Sequence, residues 1–136
     1  MNQYHYILTD CQFELHFENC ILNPRFFNHE AHLRLAWIHI KKYGVEQAVE
    51  NVCRQIKRYD KIFGGSKFNK TVTVAAVRAT NHFMQKSRSD NFQDFLLEFP
   101  RLKNNFKELI EIHYSMDIFN HPRAGTVYLE PDLVMF

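Results

Sequence analysis

Between Gly44 and the pair Gly64-Gly65, the apolar residues Val45, Ala48, Val49, Val52, Ile56, Tyr59 and Phe63 recur every three or four positions. At 100° per residue they share one face, so the stretch predicts an amphipathic helix bounded by glycine at both ends. A helix with one apolar face needs neighbours, and the same period recurs along the chain. Leu33, Ala36, Trp37 and Ile40 form the stripe of a helix that opens after Asn28, a good N-cap, and closes at Gly44. Val72, Ala76, Thr80, Phe83 and Met84 form another, from about Asn69 to about Lys86. Its Thr and Val content makes a strand over 71–77 the competing assignment, but nothing else in the chain offers that strand a partner.

Three shorter helices complete the pattern. One covers about 10–20 after a cap at Thr9 or Asp10, and one covers about 91–99 between Ser89 or Asp90 and Pro100. The third, about 103–115, turns Phe106, Leu109, Ile110 and Met116 inward. From Asn120 onward the His-Pro-Arg-Ala-Gly and Glu-Pro-Asp strings predict an extended tail, whose apolar Leu133, Val134 and Phe136 are expected to dock on the body. The expected fold is all-α: a single compact helical bundle of about five to six helices over residues 1–136, with an extended C-terminal tail. Four Gly and four Pro in 136 residues favour long regular elements over a turn-rich β fold, and thirteen Phe give the core large apolar groups. A chain of this size buries a core without disulfides or a structural metal.

The charge balance narrows the partners. The net charge is +2 with the two signs well mixed. The densest basic run, Arg54 to Lys61, is interrupted by Asp60 and reads as a solvated helix face, which argues against a nucleic-acid binder. No apolar run approaches the ~18 residues that span a bilayer. The start MNQYHYILTD has neither the basic opening nor the apolar run of a secretory signal. Cys11, Cys20 and Cys53 are odd in number and form no CxxC, as expected of reduced thiols in a cytoplasmic protein. A homodimer is compatible with all of this.

Polar residues at predicted core positions carry the functional expectation. On the second helix His29 lies at the centre of the apolar stripe, and His32, three residues on, lies one ridge to the side. Imidazoles at i and i+3 reach a common point, the geometry of a metal site or a proton-transfer pair. His113 falls mid-stripe on the helix over 103–115, and Asn69 falls mid-stripe on the fourth helix, flanked by Thr73. His82 falls on the polar face and reads as surface. If the inward groups converge, His29, His32 and His113 form a three-histidine site for Zn, Fe or Cu, with Asn69 and Thr73 completing the shell. Alternatively they line a dry pocket for a small organic ligand, with His29 or His32 as acid or base.

Other patterns are excluded. His-Glu-Ala-His is one residue short of HExxH, and Glu30 points about a quarter turn away from His29. Gly64-Gly65-Ser66-Lys67 lacks the opening glycine of a phosphate loop. Cys53 and Ser66 have no base and acid partners in a catalytic pattern. Phe92, Phe95, Phe99 and Phe106 suit a core better than a base-stacking platform.

The stretch Phe27-Asn28-His29-Glu30-Ala31-His32-Leu33, the later Phe68-Asn69-Lys70-Thr71-Val72-Thr73, and Tyr114-Ser115 before the tail Pro131-Asp132-Leu133 resemble a family of small bacterial helical proteins. That family shares F-x-H-x-x-H-L and aromatic-[HN]-x-T-x-T motifs and has no assigned activity. The likeness covers about residue 10 to the end and implies an all-helical fold with His29 and His32 at the site. Asn69 stands where similar proteins often carry His, which weakens the metal alternative. Two functions remain open at this stage: an interior His-lined site for a transition metal or small molecule, with or without catalysis, and a non-enzymatic interaction module whose buried histidines are structural.

Overall fold

The structure, a computed structural model, describes residues 4–65 and 68–136. Ser66 and Lys67, named above for the absent phosphate loop and catalytic pattern, lie outside the described residues. Among the described residues the chain is helical, with no strand. A 3-10 turn over Tyr4–Ile7 leads into α1 (Asp10–Glu18), and a second over Pro24–Phe26 leads into α2 (His29–Tyr43). Then come α3 (Val45–Ile62), α4 (Lys70–Met84), α5 (Phe92–Glu98), α6 (Arg101–Asn104) and α7 (Phe106–His113).

Local chemistry sets these boundaries. Thr9 and Gln12 form a reciprocal capping box at the start of α1, with bonds of 3.2 and 2.9 Å. The Asn28 side chain accepts from the Ala31 N–H at 2.8 Å and opens α2. Gly44, at φ +83°, turns the chain into α3 through a conformation that L side chains rarely adopt. Residues 71–77 are helical, capped by Asn69 and buried on several sides, so packing outweighs their β-leaning propensity. Two boundaries differ from expectation. Asn91, not Ser89 or Asp90, caps α5, its side chain accepting from the Asp94 N–H at 2.9 Å. The helix expected over 103–115 is split into α6 and α7, because Asn105 adopts φ −135°, ψ 37° between them.

The helix α2 is the hub, packing against α1, α3, α4 and α6. From Ala31 to Ile40 every residue except His32 is buried. The side chains of Phe13, Phe17, Leu33, Leu35, Phe95 and Leu102 are completely shielded from solvent. Each such side chain contributes about 1.5–3 kcal/mol by leaving water. The helix α3 keeps the one-faced pattern, with Ala48, Val52, Ile56 and Tyr59 inward.

After α7 the chain wraps the first turn of α4. The Lys70 and Thr71 N–H groups donate to the Gly125 and Ala124 carbonyls at 3.0 Å. The Thr71 hydroxyl donates to Val127 O at 2.9 Å and accepts from the Leu129 N–H at 3.0 Å. Asp132 accepts from the backbone and hydroxyl of Ser115. The tail is thus held through its backbone and Asp132. Its Phe136 ring stacks on His113, whereas Leu133, Val134 and Met135 stay exposed. Among the described residues no helix is long and apolar enough to cross a membrane.

Candidate functional site

The helices α2, α3 and α4 line a cavity of about 430 Å³, walled further by Phe27, Phe68 and Phe106. His29, His32 and Leu33 enter from α2, Ile56, Tyr59 and Asp60 from α3, and Asn69, Val72 and Thr73 from the start of α4. Four of the five residues singled out from sequence therefore share one space, and their roles within it differ.

His32 is the inner polar group. Its ring stacks on Phe27 at 3.9 Å and 23°. It makes no hydrogen bond to any described residue, and the same holds for the Thr73 hydroxyl. Burial holds the His32 pKa down at about 4, with nearby His29 adding to the effect. At pH 7 roughly one molecule in a thousand carries that proton, so the imidazole is a neutral donor and acceptor there. A group so rarely protonated is poorly matched to acid–base work near neutrality.

His29 is exposed rather than interior, a correction to its mid-stripe placement. It is the first residue of α2, where the helix emerges from the core, and it sits at the rim of the cavity. Its Nε2–H donates to the Leu102 carbonyl at 3.1 Å, and its ring lies 5.0 Å from Phe106. Because a carbonyl only accepts, this bond fixes the proton on Nε2 and leaves Nδ1 open.

Asn69 is the N-cap of α4, not a stripe residue. Its Oδ1 accepts from the Val72 N–H at 3.0 Å and its Nδ2 donates to Ile118 O at 2.9 Å. Both ends of that amide are committed to structure.

His113 does not join the others. It ends α7 outside the cavity, with Nδ1 donating to Val134 O at 2.6 Å and its ring stacked on Phe136 at 4.0 Å. It lies two turns, about 10 Å, along α7 from Phe106, the residue of that helix that reaches the cavity. Among the described residues, no group of three His, Cys, Asp or Glu is placed to hold one ion. The expected His29–His32–His113 shell is therefore not assembled.

Spacing did not reveal a second polar cluster on the other side of α2. Arg34 is 4 % exposed. It donates to Asp10 Oδ1 at 3.1 and 2.8 Å, to His5 O at 2.7 Å and to Leu8 O at 2.8 Å. Glu30 is 5 % exposed, with Lys103 Nζ at 2.7 Å and His5 Nε2 at 3.6 Å. Burial works to raise the Glu30 pKa, but hydrogen bonds from Lys103 and Tyr6 and the charge of Lys103 overcome it and keep the group ionised. His5 is held down at about 4, by burial first and by Arg34 second. The available signal was α2 itself: a helix apolar on nearly every face buries whatever charge it carries.

Compared with protein-family models, curated proteins and solved structures, the chain matches none.

Proposed function

We propose that this protein binds a small, flat, largely apolar organic molecule in the cavity between α2, α3 and α4, with His32 and Thr73 hydrogen-bonding its polar edge. The observation that carries this is His32, a neutral imidazole in an aromatic-walled cavity of about 430 Å³ with no hydrogen bond to the described residues. Pockets for small molecules have this make-up: mostly apolar walls and a few convergent polar groups. Two imidazoles, one of them bonded to the Leu102 carbonyl, are a poorer set for a transition metal than for an organic ligand. The three cysteines, all free, favour a reducing, cytoplasmic setting.

Naphthol is a suitable probe, with a flat apolar body and one hydroxyl. Titrated into the protein, it is expected to shift the Thr73 amide and the His32 imidazole resonances. In His32→Leu its affinity should fall about tenfold, the cost of leaving one buried polar group unpaired. Shifts confined to other surfaces, or equal binding by His32→Leu, contradict the proposal.

A further inference from the structure

Some of the cations in this chain have an acid beside them. Lys42 pairs with Glu14, Arg58 with Glu18, Arg78 with Glu46 and Lys103 with Glu30. Among the cations with no ion-paired acid among the described residues, four converge on one groove. Arg54, Lys57 and Lys61 follow one ridge of α3, and Lys70 opens α4 beside them. All four line a groove of about 500 Å³. Like charges at i+3 and i+4 on a helix repel by about 0.2–0.5 kcal/mol per pair, so this arrangement carries a standing cost that an anion would relieve.

The groove wall sets four cations against one acid, Asp60. Cys53 on its wall is pushed up to about 11 by burial, so it remains a thiol. The Asp60 carboxylate is turned toward the glycine turn, accepting from the Phe68 N–H at 3.3 Å. It also occupies the place where a Cβ on Gly65 would fall. The N–H groups at the start of α4 are taken by Gly125, Ala124 and Asn69, so side chains rather than the helix end supply the positive charge.

This groove and the His32 cavity share a wall: Asp60, Gly65 and Phe68 line both. We infer that one ligand spans the two, and that it is an organic phosphate, its apolar ring in the cavity and its phosphate among Arg54, Lys57, Lys61 and Lys70. The inference rests on the proposed cavity function and adds the ligand's charged end. Lysine and arginine hold phosphate oxygens through charge-assisted hydrogen bonds, about twice as strong as neutral ones.

The test titrates the full chain with naphthol, naphthyl phosphate and inorganic phosphate, followed by backbone and imidazole resonances. It is repeated on Lys57→Ala/Lys61→Ala, two exposed positions whose loss leaves the core intact. Naphthyl phosphate is expected to bind about tenfold tighter than naphthol, and the gap should close in the double variant and at high salt. Equal affinity of the two compounds, with His32 still responding, overturns the phosphate inference and leaves the cavity function standing. Phosphate shifts at Lys70 and Thr126 without any response to naphthol make the groove a separate anion site. That result overturns the spanning ligand and the cavity function together. A naphthyl phosphate affinity unchanged in the double variant also overturns the inference.

Discussion

The first turns of α2 present polar groups to two sides, and the two sides are built oppositely. On one side Arg34 and Glu30 are nearly sealed from water, yet their donors and acceptors meet Asp10, Lys103 and the carbonyls of His5 and Leu8. On the other side His32 and Thr73 face a cavity and bond to no described residue. A buried polar group costs free energy until it is paired. Where the pairing comes from the chain itself, the group is structural and pins the N-terminal segment to the hub helix. Where the pairing is left open beside a cavity, the group is available to a ligand.

The contrast breaks most visibly at Arg34. Replacing it by Met leaves the His5 and Leu8 carbonyls unpaired, at about 1–3 kcal/mol each, while half-exposed Asp10 returns to water, so the fold should be destabilised by about 2–5 kcal/mol. Denaturant unfolding measures this, and a loss within experimental error would mean the cluster is not structural. Glu30→Gln keeps the shape but removes the charge facing Lys103, with an expected loss of about 1–3 kcal/mol. Lys103→Met combined with it should cost less than the sum of the two single changes, the signature of a coupled pair.

Acid sharpens the comparison. His32 and His5 are both held at about 4 against an ordinary value of 6.5. Between those values the unfolded chain binds protons that the folded chain refuses, so stability falls as pH drops from 6.5 toward 4 and is fully present above 6.5. The denaturation midpoint across this window should show that slope, to which His39 and His82, also lowered by burial, add, and His32→Leu should flatten it in part by removing one of these imidazoles. A slope unchanged in the variant would mean His32 is not held neutral by the fold. The smallest effect is expected on His32→Leu stability at pH 7, within about 1 kcal/mol, because the imidazole has no bond to lose and a similar volume refills the space. A large destabilisation there would place His32 with Arg34 as a structural group.

Helical spacing made the architecture legible because α3 buries one face in the helical period. The helix α4 forms as expected, but it is buried on several sides, with Val74, Ala75 and Val77 in the core and Val72, Ala76, Phe83 and Met84 of the expected stripe only half-buried. Spacing failed where packing departs from one-faced burial. The helix α2 is enclosed on nearly all sides, so its wheel cannot separate the groups aimed at a cavity from those aimed at a partner: Glu30, a quarter turn from His29, and Arg34 are both buried. His32, Asn69 and Thr73 were found near one another because the first turns of α2 and α4 lie side by side. The helical period places Asn69 inward, whereas its amide is spent on capping α4 and holding Ile118. His113 shares a face of α7 with Phe106 but lies two turns further along, about 10 Å, beyond the reach of the cavity. A helical period gives the face a residue takes, not how far along the axis a cavity extends.

The most direct test of the open side of α2 follows the imidazole nitrogens of His32 and His5 by NMR at pH 7 during a naphthol titration. The division between partnered and open sides predicts that both rings begin neutral, that the His32 nitrogens shift with saturation, and that His5, enclosed by Arg34 and Glu30, does not move. An unmoved His32, or His5 and His32 shifting alike, would contradict it.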